Sequence, residues 1–269
     1  MFKQLFSVLF IIVVAASAVY PFLQVNKSPS KEVEHQNQSS KLAEEVVVQP
    51  IPEQLPDFSV YTDVKQKKHA FFGYLAPLVR QINIEILSQR EFVLGLDSFP
   101  KDEKSQVKLE KLLKRFAIKN DQSFSQLKHQ LLLRVDALPV ELVLMQAANE
   151  SAWGTSRFAL VANNLFGQWC FKKGCGVVPS GRPDGESYEV RKFEHPIDSI
   201  RSYFNNLNTG HAYVDLRAIR LATRDKNKSL NPSELAEGLL SYSIRREDYV
   251  EEIKTMIRIN SKYIPRVSE

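Results

Sequence analysis

The sequence predicts a mainly α domain with a small β lobe inserted beside a central helix, and three observations lead there. From Asp57 onward, apolar residues recur at spacings of three and four through most of the chain, the period of a helix that buries one face. One segment, "LPVELVLMQAANE", is apolar on nearly every face and so belongs in the middle of the core. One stretch, "GCGVVPSGRPDGESYEVRKFEHP", breaks the helical period. There Pro183, Asp184 and Gly185 separate two short runs containing Val177, Val178, Tyr188, Val190 and Phe193, the pattern of a β-hairpin or small sheet.

The chain of 269 residues opens "MFKQLFSVLFIIVVAASAVYPF": one lysine, an apolar run from Leu5 to Val14, then the small residues Ala15 to Ala18. This is the pattern of an export signal over residues 1–22, with Ala18 suited to cleavage. Val19 to Leu23 extend the apolar stretch toward the roughly 20 residues that span a bilayer, so an uncleaved anchor in the inner membrane is the other reading. Either way the folded part is expected in the periplasm. Lys27 to Leu55 is polar, rich in Gln, Ser, Glu and Pro, and holds no aromatic residue; residues 23–56 read as a flexible linker. Residues 57–269 are long enough to bury one sizeable core.

Within that domain "DVKQKKHAFFGYLAPLVRQINIEILSQREFVLGL" has helical spacing, with Pro77 expected to kink or interrupt it. Further helices are expected at Lys104 to Phe116 and at Ser123 to Val135, the second capped by Asp121 or Ser123. Pro139 suits the first turn of the central helix, Glu150 ends it, and Gly154 follows as a stop. After the β lobe, helical spacing resumes at "IDSIRSYFNNLNT", at "PSELAEGLLSY", capped by Asn231 or Ser233, and at "REDYVEEIKTMIRIN".

The net charge of +5 is modest, and acids are interspersed among the lysines and arginines. The most basic segment, "KSQVKLEKLLKRFAIKN", carries Leu109, Leu112, Leu113 and Phe116 at helical spacing, so its lysines form the wet face of an amphipathic helix or a stripe for a polyanionic envelope polymer. An exported chain without a nucleic-acid motif is not expected to bind nucleic acid. Cys170 and Cys175 fit neither paired zinc ligands nor a redox dithiol with two intervening residues. In an oxidising compartment they are expected to form a disulfide that fixes the local turn. The five histidines are scattered, and the chain shows no P-loop, dinucleotide fingerprint or Gly-x-Ser-x-Gly elbow; neither a metal nor a cofactor is expected.

The segment "ANESAWGTSRFALVANNLFGQWC" gathers the chemistry. A carboxylate at the exit of an apolar helix loses hydration and meets the negative end of the helix dipole, so Glu150 is expected to hold its proton toward neutrality. A glycosidase needs such an acid, because a sugar oxygen leaves only as it is protonated. Trp153, Phe166 and Trp169 could stack on sugar faces, and the amides of Asn163 and Asn164 could bond hydroxyl or acetamido groups. The plainer reading is open too: a solvated helix-end Glu, two core aromatics, and a turn with a left-handed asparagine.

"ANESAWGTSRFA" followed by "NNLFG" resembles the signature of the bacterial glucosaminidase domain, glycoside hydrolase family 73, whose members cleave the glycan strands of peptidoglycan. With "KKHAFFGYLAPLV", "NNLFGQWCFKKGCGVVPSGRP", "YEVRKFEHPIDSIRSYFNNLNT" and "HAY", the chain is similar to the Bax-type envelope proteins over roughly Asp57 to Tyr263. The resemblance implies a lysozyme-like helical fold with a β lobe. It places Glu150 as general acid, Asn164, Leu165, Phe166 and Gly167 along the sugar cleft, and Tyr213 facing it, with Tyr242 and Tyr249 on the closing segment. Many members carry a second acid on the first strand of the β lobe, where this chain has "GVVPSGR". Among Asp184, Glu186 and Glu189, Glu189 is the candidate because it lies within the second expected strand; otherwise the substrate's acetamido group serves as nucleophile. The implied activity is endo-β-N-acetylglucosaminidase on peptidoglycan glycan strands. A lysozyme-like muramidase, a lytic transglycosylase and a non-catalytic glycan-binding envelope protein are the alternatives.

Overall fold

The computed structural model describes residues 54–266, all within one compact unit. The signal or anchor expected over residues 1–22 and nearly all of the expected linker lie outside the described residues. Among the described residues no helix is long and apolar enough to cross a membrane.

The first long helix, α1 (Val64–Leu94), is capped by Asp63, whose side chain accepts from the Gln66 amide. It continues through Pro77 without the interruption that the proline could have caused. The proline sits on the exposed face, and the carbonyl it crowds belongs to Gly73, which is also exposed and has open space around it. Its neighbours Leu75, Ala76, Leu78 and Val79 are buried, so packing holds the helix through the lost hydrogen bond. Helices α2 (Glu103–Arg115) and α3 (Phe124–Arg134) follow as expected. Ser123 and Gln126 cap α3 reciprocally, while Asp102 caps α2.

The central helix α4 (Val140–Glu150) begins one residue after the position expected, with Pro139 at the cap. Leu142, Val143, Leu144, Met145, Ala147 and Ala148 are all buried. Truncating a residue such as Leu144 to alanine would cost about 2–5 kcal/mol. Beyond α4 the chain turns through Gly154 into a short helix, α5 (Arg157–Ala162), that the sequence pattern did not reveal.

The β lobe is a three-stranded antiparallel sheet of β1 (Trp169–Cys170), β2 (Gly176–Val177) and β3 (Glu189–Arg191), with β3 in the middle. The hairpin partners were expected; β1 was not, because two residues carry no periodicity. A Cβ at Gly176 would lie 1.9 Å from the Val190 carbonyl oxygen, so glycine permits the β2–β3 approach.

Helix α6 (Pro196–Thr209) starts with Pro196 at its first position. A 3-10 turn (His211–Tyr213) leads into α7 (Val214–Asp225), the one long helix the sequence analysis missed. Its inward residues include Arg217 and Arg220, 3% and 1% exposed, beside the fully buried Leu216. Arg220, with Arg90 of α1 and Arg224, surrounds the buried carboxylate of Asp136, and Arg224 bonds it through two nitrogens at 3.1 and 2.9 Å. Asn231 caps the short α8 (Pro232–Ala236), and α9 (Glu247–Asn260) closes the domain. Helices α1, α8 and α9 pack on α4. The mainly α, lysozyme-like arrangement with its small sheet is the expected one.

Candidate active site

A cleft of about 580 Å³ opens where α4 ends. Glu150 lines it, together with Phe166 and Gly167 from the "NNLFG" turn, Trp169 and Phe171 from the disulfide loop, and Arg191 from β3. Helix α6 gives Tyr203 and a polar edge of Ser202, Asn205, Asn206 and Thr209; Tyr213 and Tyr242 complete the lining. Among the described residues lining the cleft, Glu150 carries the sole carboxylate.

The acid is built from two helices. Its backbone is the last residue of α4, and its side chain is half-buried. From α9, the Tyr249 hydroxyl donates to Glu150 Oε1 at 2.9 Å. Burial raises the Glu150 pKa above the ordinary carboxyl value; hydrogen bonds from Tyr249 and Asn149 pull it down, Glu252 pushes it up and Arg245 lowers it. Burial is the largest of these effects, as the apolar helix implied.

Tyrosines surround the acid. Tyr203 stacks on Phe166 with ring centres 4.1 Å apart, and Tyr242 stacks on Tyr249 at 5.3 Å. Burial raises the pKa values of Tyr203, Tyr213, Tyr242 and Tyr249, with the field of Glu150 adding to each. All four therefore stay neutral hydrogen-bonding groups at working pH.

The structure brings together Glu150, Phe166, Gly167, Trp169 and Tyr213, as expected, with Trp169 49% exposed. It places the other candidates elsewhere, among them Leu165, which is fully buried. Trp153 does not line the cleft: it packs edge-on against Phe71 and Phe72 at 5.6 and 5.4 Å, with the Lys68 ammonium over its ring. Apolar surface that large gains more from the core than from a cleft edge.

Asn164 is also a correction. Its side chain is buried, donates to the carbonyls of Gln168 and Arg191 at 2.8 and 2.9 Å, and accepts from the amides of Phe166 and Gln168. The amide is consumed in tying the turn to β3, so Asn164 shapes the cleft without lining it. Asn163 caps α5 in the left-handed conformation with φ 51° and donates to the carbonyls of Phe193 and Glu194. The turn with a left-handed asparagine was therefore the right reading of "NN". Gly167, with φ 62°, completes the turn in the same region of backbone space.

Glu189 does not line the cleft either. Its two carboxylate oxygens accept from the Gly174 and Gly176 amides at 2.9 and 2.8 Å, and those bonds hold its pKa below the ordinary value. It clasps the loop that the Cys170–Cys175 disulfide closes. A carboxylate held by two loop amides outside the cleft lining is not placed to meet a water or a sugar carbon there. Sequence reasoning missed Gln146, Tyr203, Phe171, Arg191 and Asn206; of these, Phe171 and Arg191 carried the only signal, their proximity to the cysteines and to the strand.

Fold and cleft together define a glycoside hydrolase scaffold. Residues 125–262 match the glucosaminidase family, described as mannosyl-glycoprotein endo-beta-N-acetylglucosaminidase, and the chain belongs to that family. A relative is Protein bax of Escherichia coli (strain K12), 29% identical over 212 residues that cover 78% of this chain and 76% of the relative. No solved structure matches.

Proposed function

We propose that this chain is an exported peptidoglycan hydrolase that cuts the β-1,4 bond after N-acetylglucosamine, with Glu150 as the general acid. The observation that carries the reading is a half-buried carboxyl of raised pKa in a cleft of aromatic rings and side-chain amides. Exposed Trp169 and Phe171 suit sugar faces, the α6 edge suits hydroxyl and acetamido groups, and the Arg191 guanidinium suits the carboxylates of peptide-bearing glycan. The N-terminal sequence and the disulfide support export across the inner membrane, with the domain released or tethered on the periplasmic side.

In this mechanism protonated Glu150 gives its proton to the glycosidic oxygen as the bond to the anomeric carbon breaks. No second carboxylate lines the cleft among the described residues, so the 2-acetamido oxygen of the sugar attacks that carbon and forms an oxazolinium ring. Glu150, now a carboxylate, takes a proton from the water that opens the ring. The same single acid favours a second reading, a lytic transglycosylase, in which the sugar's own 6-hydroxyl attacks in place of water.

Mass spectrometry of soluble products from sacculi treated with the purified chain tests these readings. Reducing N-acetylglucosamine ends are expected. Reducing muramic ends would make the chain a muramidase, 1,6-anhydro ends a lytic transglycosylase, and binding without products a glycan-binding protein.

A further inference from the structure

The buried end of α4 holds a hydrogen-bond chain for which an apolar core has no need. Gln146 is fully buried and lies one helical turn before Glu150, on the same face. Its Oε1 accepts from the Tyr203 hydroxyl, and its Nε2 donates to the Tyr249 hydroxyl oxygen at 2.9 Å. Tyr249 in turn donates to Glu150 Oε1 at 2.9 Å. Each link limits the next. Once the Gln146 oxygen takes the Tyr203 proton, its nitrogen must face Tyr249; once Tyr249 accepts there, its single proton goes to Glu150.

We propose that Gln146 is a positioning residue that acts through Tyr249: its amide commits the phenol proton to Glu150 Oε1 and so keeps the acid's own proton on Oε2, available for transfer. The inference rests on Glu150 being the general acid. With the amide reversed, Tyr249 would donate to Gln146 and accept from the Glu150 carboxyl. The transferable proton would then be held by the wall of the cleft. In the structure the Tyr203 hydroxyl lies on the amide oxygen, the arrangement in which the amide nitrogen faces Tyr249. The chain also supplies a bond that strengthens as Glu150 becomes a carboxylate after transfer.

Other groups acting on the acid leave its titration recognisable. Tyr203 of α6, Tyr213 of the 3-10 turn, Tyr242 of the loop before α9 and Tyr249 of α9 are neutral. Arg245 and Glu252 pair with one another, and Asn149 adds an uncharged bond. The alkaline limb of the pH profile therefore reports Glu150.

The test compares Gln146→Met, Tyr249→Phe and the double variant with the full chain on soluble glycan strands, by pH profile of kcat/KM and by kcat and KM separately. Either single change is expected to lower kcat about 10- to 100-fold with KM within twofold. Tyr249→Phe removes a donor to the carboxylate, so its alkaline limb moves to higher pH; Gln146→Met moves it the same way by less. Because Gln146 acts through Tyr249, the double variant should lose no more than Tyr249→Phe alone. Unchanged kcat and limb in both single variants, or losses that multiply in the double variant, would overturn the proposal. Should Gln146→Met not fold, the limb of Tyr249→Phe, which keeps the ring, decides: an unmoved limb overturns it. A Glu150→Gln chain with normal turnover would instead sink the general-acid reading beneath it.

Discussion

Replacing Glu150 with glutamine removes one transferable proton and little else. The new side chain has the same length, and its oxygen can still accept from Tyr249. General acid catalysis is worth about 10²- to 10⁴-fold, or about 3–5 kcal/mol of barrier, so kcat should fall by that factor. Glycan binding should persist, because Trp169, Phe171, Arg191 and the α6 edge are untouched. A second readout comes from stability. Burial holds the Glu150 pKa above its ordinary value near 4.5, so in the window just above that value the folded chain keeps a proton that the unfolded chain has lost. Stability conferred by the protonated group is present below that window and declines as pH rises through it. Glutamine does not titrate, so Glu150→Gln should match the wild type in Tm at pH 4 and exceed it at pH 7.5, with each kcal/mol showing as about 2–4 °C. Release of soluble products from glycan strands and thermal unfolding at the two pH values measure both effects. A folded variant with wild-type turnover, or a Tm difference that does not grow with pH, would refute the buried-acid reasoning.

Three further changes probe the surroundings. Asn164→Ala removes a buried amide with four hydrogen bonds and leaves backbone partners unmatched; it should lower stability by about 2–4 kcal/mol and reduce activity through loss of the turn, both visible in a denaturant midpoint and a rate. The Glu189 pKa is depressed, so its clasp contributes stability above the ordinary glutamate value and loses it as pH falls through the depressed one. Glu189→Gln should make the loop more protease-sensitive at neutral pH yet keep kcat well above that of Glu150→Gln. Arg191→Gln should raise KM on peptide-bearing glycan and leave KM for uncharged N-acetylglucosamine oligomers within twofold, a difference that steady-state kinetics on the two substrates will show.

The legible parts of this molecule were those in which one residue type has one physical role. The apolar run of α4 pointed to core, Ser123 was one of two caps the sequence offered for α3 and is the one used, and a Glu at the end of an apolar helix was expected to lose water. The illegible parts are those where a residue type works against its average. Arginines share the inward face of α7 with Leu216, and Arg220 and Arg224 reach Asp136, so residues that usually face solvent stand where the core begins. Pro77 sits inside a helix because Gly73 and solvent relieve it. Asn164 and Glu189 bear the groups that bind sugars and catalyse glycosyl transfer, yet both are spent on backbone amides and carbonyls, and spacing cannot reveal where a side chain's hydrogen bonds go.

That distinction bears on how the cleft is built. Two of its walls are loops, which on their own would hold side chains too loosely for catalysis. Here each loop is locked from beneath by a polar group that a sequence reader would assign to the substrate. Asn164 pins the "NNLFG" turn to β3, and Glu189 with the disulfide pins the loop carrying Phe171. The acid itself needs no such lock, because it stands on the most deeply packed helix of the domain and is aimed by Tyr249 from a second one. Rigidity therefore passes from the core to the acid by packing and to the rims by hydrogen bonds, and a substitution at Asn164 or Glu189 acts on the geometry of the cleft walls while the proton on Glu150 stays where α4 and α9 put it.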